Sequence, residues 1–128
     1  MILDSSALVS IVLKEEGYEL LAEKAQLANS VLIGAPIALE SAVVLSRRLG
    51  YDARPIISTL LRRLDAEIVE FNEYHYEAAV SAFLRFGKGR HPAGLNFGDC
   101  MSYALAELTG LPLLCTGDDF ARTDISCA

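Results

Sequence analysis

The stretch MILDSSALVSIVL, residues 1–13, places an apolar strand, an aspartate and an apolar helix in direct succession. Met1 to Leu3 has the character of a buried strand, and apolar residues at 7, 8, 9, 11, 12 and 13 predict a heavily buried helix over 5–14. Asp4 lies where the strand ends and the helix begins. A strand that passes directly into a helix is the repeating unit of an α/β fold.

The same alternation continues through the rest of the chain. Apolar runs predict further strands at 31–35, 67–71 and 112–116, and helical patterns cover 17–28, 36–50, 53–64, 73–86 and 97–109. We therefore predict an α/β fold with a mainly parallel sheet and helices on both faces. The predicted strand order is 3-2-1-4-5, in which the segment after residue 120 supplies a fifth, edge strand. The predicted domain organisation is one domain over 1–128.

Composition and charge limit the classes of function. The chain has 128 residues, 52% of them hydrophobic, but no apolar run approaches the ~20 residues of a membrane span. The N-terminus has no signal-peptide pattern, and three cysteines without metal-ligand spacing favour a reduced, cytoplasmic location. A formal net charge of -6 argues against broad basic-patch binding of nucleic acid, although it leaves a nuclease open.

Acidic residues recur where predicted strands end or helices begin. In a parallel sheet these positions share one rim, where ligands bind. Carboxylates gathered at one rim repel one another and need a cation, so the pattern predicts a divalent-metal site and phosphate-ester cleavage. The candidates are Asp4, Glu40, Asp99 and Asp118, with Asp119 beside the last. Each acid alone also suits a helix cap, a helix first turn or a tight turn; their coincidence favours a shared site.

The loop at 87–95 holds the densest basic cluster, with Lys88, Arg90 and His91 among three glycines and a proline. These residues are candidate RNA contacts, and an ordinary solvated loop is the alternative. Ser6 and Thr116 are further candidates, because their hydroxyl groups follow predicted strand ends and could bind an acid or the substrate.

These stretches resemble the PIN-domain proteins, in particular the VapC toxins of type II toxin–antitoxin pairs. The resemblance covers essentially the whole chain. It rests on Asp4-Ser5-Ser6-Ala7-Leu8, Leu39-Glu40-Ser41, Gly87-Lys88-Gly89-Arg90-His91, Asn96-Phe97-Gly98-Asp99-Cys100 and Gly117-Asp118-Asp119-Phe120.

The resemblance implies a PIN-like three-layer fold and a Mg²⁺- or Mn²⁺-dependent endoribonuclease, a hydrolase of RNA phosphodiester bonds. It also implies a homodimer and a cognate VapB-type antitoxin that neutralises the toxin. Asp4, Glu40 and Asp99 match the first three acids of the family. The common family ending is Asp-x-Asp-Phe, whereas this chain has Gly117 at the first position, which leaves Asp118, our preference, or Asp119 as the fourth acid.

The rival class is a catalytically silent PIN-like or receiver-like metal-binding interaction module. A receiver domain needs an acceptor aspartate after its third strand and a lysine after its last strand. Here Phe71-Asn72-Glu73 follows the third predicted strand, and no lysine occurs beyond Lys88. The apolar content further predicts a homodimer through the helices near 17–28 and 36–50 or through the aromatic helix at 73–86.

Overall fold

The computed structural model describes residues 1–128 and contains four strands and six α-helices in the predicted sequence. The strands are shorter than predicted, whereas the helices have nearly the predicted bounds. In chain order the elements are β1 Ile2–Leu3, α1 Ser5–Leu13, α2 Tyr18–Leu27, β2 Val31–Gly34, α3 Ala35–Leu49, α4 Arg54–Arg63, β3 Ala66–Val69, α5 Glu73–Phe86, α6 Phe97–Thr109 and β4 Leu113–Leu114, followed by a 3₁₀ helix at Phe120–Arg122.

The strands form one parallel sheet in the order β3-β2-β1-β4. This order confirms the prediction for the first four strands. The predicted fifth strand does not form; only one parallel bridge, between Leu113 and Cys127, is present at this edge of the sheet. The chain after β4 folds into turns and the 3₁₀ helix, which buries Phe120, and this leaves only the last few residues to pair with β4.

Helices cover both faces of the sheet, which gives the predicted three layers. Neighbouring residues of β1 separate onto opposite faces, as the strand period of two requires. Leu3 packs with α1 to α4 on one face, and Ile2 packs with α5 and α6 on the other. Because β1 is central and buried on both faces, the residue that ends it, Asp4, is held in a fixed position.

The segments that carry the acids meet at the edge of the sheet formed by the C-terminal ends of its strands. Asp4 follows β1, α3 starts directly from the end of β2, and the turn with Asp118 and Asp119 follows β4. The helix α6 begins at the same edge after the cap residue Asn96. No helix combines the length and apolar character needed to cross a bilayer.

Candidate active site

Asp4 is the most firmly held acid of the cluster. Its side chain is only 3% exposed and caps α1. One carboxylate oxygen, Oδ2, accepts hydrogen bonds from the Ser6 amide (2.9 Å) and the Ser6 hydroxyl (2.6 Å). The other oxygen, Oδ1, accepts a hydrogen bond from the buried hydroxyl of Ser102 (2.6 Å). Three donors to one carboxylate compensate for its burial and fix its direction.

Ser6 connects Asp4 to the end of β4. Its hydroxyl donates to Asp4 and accepts a hydrogen bond from the Thr116 amide at 3.0 Å. The structure therefore places Ser6 as a support of Asp4, with its hydroxyl committed to two partners. Thr116 is exposed beside it.

Ser102 is a supporting residue that the sequence analysis missed. It lies on α6, three residues after Asp99, so both side chains lie on the same face of that helix. That spacing is the only signal in the sequence. The bond to Asp4 joins residues 98 positions apart, which no local pattern shows.

Asp99 lies in the first turn of α6 and forms a capping box with Asn96. The Asp99 amide donates to the Asn96 side chain, and the Asp99 carboxylate accepts from the Asn96 amide, both at 2.9 Å. Burial raises the pKa of Asp99 to about 6; the Asn96 amide opposes this rise, and the charges of Asp4, Asp119 and Glu40 add to it. Asp99 is therefore both a helix-capping residue and a member of the acidic cluster.

Glu40 reaches the cluster from α3 because α6 has a glycine opposite it. A Cβ added to Gly98 would lie 2.7 Å from Oε1 of Glu40, closer than real contacts of this kind. The absence of a side chain at residue 98 thus makes room for the Glu40 carboxylate. That carboxylate accepts no hydrogen bond from the chain, so its oxygens are available to a ligand.

The turn after β4 offers two exposed aspartates, and they differ in their relation to Asp99. Asp119 is one of the charges that raise the pKa of Asp99, whereas Asp118 has no such effect. Gly117 has a left-handed backbone (φ +79°), and Asp119 then has the right-handed conformation that starts the 3₁₀ helix. The interaction of Asp119 with Asp99 therefore places Asp119 beside the acidic cluster.

The basic loop leads directly into the cap of α6. Lys88 and Arg90 are exposed, and the Arg90 guanidinium lies 5.4 Å from the centre of the Phe83 ring. His91 is half-buried, and its Nδ1 accepts a hydrogen bond from the Ala93 amide at 3.1 Å. Arg122, beyond the acidic turn, donates to the Pro92 carbonyl at 3.2 Å and so ties the loop to the segment that carries Asp119.

The donor set fits a hard divalent cation. The free oxygens are carboxylates; burial is the main cause of the raised pKa of Asp99, and repulsion by the charges of Asp4, Asp119 and Glu40 adds to it. No three acidic, histidine or cysteine side chains lie close enough to enclose an ion unaided. Mg²⁺ keeps several waters and takes only one or two carboxylates directly, so two of these acids would be enough to hold it.

Comparison with known proteins identifies the fold family. The family model for the PIN domain matches residues 1–126. The Mycobacterium tuberculosis protein Ribonuclease VapC36 is 44% identical over 126 residues, which cover 98% of this chain and 91% of that protein. The chain belongs to the PIN domain family, among its VapC ribonucleases.

Two further VapC proteins extend the comparison. Ribonuclease VapC of Mycolicibacterium smegmatis is 41% identical over 127 residues, which cover 98% of each chain. The crystal structure of M. tuberculosis VapC20, described as a sarcin-ricin loop cleaving toxin, has a TM-score of 0.75 at 16% identity and covers 94% of this chain and 92% of that one. This structural likeness shows that the fold is shared.

An apolar groove runs beside the acidic cluster of this VapC chain. It lies between α3, α5 and α6 and has a volume of about 890 Å³. Glu40 lines it together with apolar side chains that include Leu39, Tyr76, Val80, Phe83, Phe97 and Met101. Phe97 is 83% exposed and Leu39 is 65% exposed, so this apolar surface is open to a partner.

Proposed function

We propose that this chain is a metal-dependent endoribonuclease toxin that hydrolyses RNA phosphodiester bonds. Membership of the VapC ribonucleases supports the reaction class. The single observation that supports the metal dependence is that Asp4, Glu40 and Asp119 lie close enough to the half-buried Asp99 to add to the rise in its pKa that burial causes. A site with this excess of negative charge approaches an RNA phosphate favourably only when a cation is bound.

Each acid has a role that follows from its surroundings. Asp4 and Asp99 would hold Mg²⁺ or Mn²⁺ most directly, because hydrogen bonds fix their carboxylates. Glu40 and Asp119 would bind through water and complete the charge balance. When bound, the cation supplies Lewis-acid stabilisation of the phosphate and activates water. The Ser6 and Ser102 hydroxyls fix the direction of the Asp4 carboxylate.

The basic loop is the proposed contact for the RNA backbone. Lys88 and Arg90 are exposed and form no ion pair with an acid of the chain. They precede the helix that carries Asp99, so phosphates bound there would extend along the rim toward the acids. His91 and Thr116 are secondary candidates, and Ser6 acts on substrate only through Asp4.

The test is RNA cleavage with and without a chelator. Purified protein should cleave total RNA in Mg²⁺ or Mn²⁺, lose that activity in EDTA and regain it when the metal is restored. Asp4→Ala, purified in the same way, controls for contaminating ribonucleases. Equal cleavage in EDTA would refute the metal mechanism, and intact RNA under every condition would favour the silent binding module.

We further propose that a cognate VapB-type antitoxin neutralises the toxin by occupying the apolar groove. Glu40 lies both in the groove and in the acidic cluster, so an apolar segment seated there could place an Arg or Lys against the acids. The cation of that residue would then compete with the metal.

Two tyrosine variants test the groove. Tyr76 lines it and Tyr51 does not, although their exposures are similar at 55% and 59%. Co-expressed with the antitoxin, Tyr76→Glu should escape inhibition and Tyr51→Glu should remain inhibited. Equal inhibition of both variants would move the antitoxin site elsewhere.

A further inference from the structure

Cys115 and Cys127 lie beside each other at the C-terminal edge of the sheet. Cys127 pairs with Leu113, and the bridge is closed by hydrogen bonds from Leu113 N to Ser126 O and from Ala128 N to Leu113 O, both 2.8 Å. Cys115 is two positions after Leu113, and residues two apart along an extended chain point to the same face. The pairing register therefore places both thiols on one face of neighbouring segments.

The two thiols are close and unequal in exposure. Burial raises the pKa of the Cys115 thiol, and the Cys127 thiol lies close enough to add to this rise. Cys127 is exposed and Cys115 is half-buried, and both are free thiols in the structure. The third cysteine, Cys100, is buried on α6. An oxidant in solution therefore meets Cys127 first, and Cys115 is placed to react with it.

We propose that Cys115 and Cys127 form a reversible intramolecular disulfide when the protein meets a peroxide-class oxidant. The bond would close the segment 115–127, which contains the turn with Asp118 and Asp119. This inference does not depend on the proposed ribonuclease activity. In a reduced compartment, such a bond is typical of transient redox sensing rather than permanent stabilisation.

The chemistry proceeds in two balanced steps. A peroxide transfers one oxygen to the Cys127 thiol, which becomes a sulfenic acid, and hydrogen peroxide leaves as water. The Cys115 sulfur then attacks the Cys127 sulfur, the S–S bond forms, and the sulfenic oxygen departs as a second water with the Cys115 proton. Each cysteine loses one hydrogen atom, and the peroxide is the electron acceptor.

Oxidation should also stabilise the chain end. The last residues are held by one bridge and by a hydrogen bond from Lys24 Nζ to the Ala128 carbonyl at 3.0 Å. A covalent link from Cys127 to Cys115 restricts the unfolded chain, and the native pairing already sets the two residues on one face of neighbouring segments. The oxidised monomer should therefore have a higher Tm than the reduced one.

Mass spectrometry of the whole chain tests the proposal. After mild hydrogen peroxide treatment, the monomer should lose the mass of two hydrogen atoms, and a thiol reductant should restore it. Chymotrypsin cuts after Tyr103 and so separates Cys100 from Cys115, and the non-reduced digest should link the peptides of Cys115 and Cys127. Cys100→Ser should still form the bond, whereas Cys127→Ser should not.

Three results would overturn the proposal. One is a bond to Cys100 or between two chains. Another is oxidation of Cys127 to sulfinic or sulfonic acid with no cross-linked peptide. A third is a lower Tm for the cross-linked monomer, because the bond would then strain the fold. The digest of the wild-type protein decides the pairing even if a variant fails to fold.

Discussion

At the scale of single residues, the cluster combines one carboxylate that is held by hydrogen bonds with one whose charged form is destabilised by burial and by neighbouring charges. Asp4 is buried with three hydrogen-bond donors around it. Asp99 is half-buried, has one backbone donor and faces the charges of its neighbours, so its pKa rises to about 6. A bound cation would stabilise the charged form of Asp99, which is the physical reason to expect metal affinity here.

Replacing Asp99 with asparagine should stabilise the metal-free protein while removing most activity. Asparagine keeps an oxygen that can accept from the Asn96 amide but carries no charge. We expect a gain of about 1 kcal/mol at neutral pH, after allowance for solvent screening of a half-buried group, or roughly 3–5 °C in Tm. Thermal unfolding in EDTA measures it, and a lower Tm would contradict the interpretation.

The pH dependence of stability follows from the same shift. The folded-state pKa of Asp99 is about 6, above the unfolded value of ~3.9. Between these values the folded state binds more protons, so Asp99 favours folding at low pH and this contribution is lost as pH rises toward about 6. In EDTA, the gain in Tm from Asp99→Asn should therefore shrink as pH falls from 7 toward ~4. A gain independent of pH would mean that charge is not its cause.

Ser102→Ala should weaken metal binding through Asp4. The change removes the only donor to Oδ1 of Asp4. Loss of such a supporting contact typically costs about 10–100-fold in metal affinity or activity. Ser41→Ala is the matched control, because Ser41 is equally buried but donates to the Ile37 carbonyl of its own helix. Calorimetric titration with Mn²⁺ should separate the two variants, and equal affinities would remove Ser102 from the site.

At the scale of elements, the close approach of α3 and α6 places Glu40. Gly98→Ala should improve the helix propensity of α6 but push the Glu40 carboxylate out of its position, since the new Cβ would meet Oε1 at 2.7 Å. We expect lower activity, about 10-fold or more, with a Tm that is unchanged or raised. Circular dichroism and a cleavage assay on the same sample measure both. Full activity would show that Glu40 adapts and that its position is not critical.

The elements were predictable from the sequence because their signals are local. The run Ile2-Leu3-Asp4 indicates a buried strand and its end, and Asn96 indicates the cap of α6. The fifth strand was not predictable, because burial of Phe120 draws that segment into a 3₁₀ helix. The support of Asp4 by Ser102 and the closeness of Asp119 to Asp99 depend on tertiary contact and turn conformation. Neither of these leaves a pattern in the residue types alone.

At the scale of the whole molecule, exposed apolar surface argues for self-association. Apolar side chains remain exposed on all three helices named for the dimer, including Leu27 on α2 (77%), Val43 on α3 (44%) and Leu84 on α5 (56%). We predict a homodimer that covers part of this surface. Light scattering at tens of micromolar should give twice the mass of the chain, and a monomer throughout would count against the dimer.

With a net charge of -6, the proposed function requires that the local basic loop bind the RNA and that a cation accompany the acids. The central claim is thus that one specific set of acids forms the site. It is tested most directly by the rate of RNA cleavage, as Mg²⁺ is titrated, for wild type, Asp119→Asn and Asp118→Asn. Both variants remove one charge from the same exposed turn, so overall electrostatics are matched. The account predicts that Asp119→Asn slows cleavage about 10–100-fold and needs more Mg²⁺, while Asp118→Asn behaves as wild type. Equal rates for all three proteins, or a loss confined to Asp118→Asn, would contradict it.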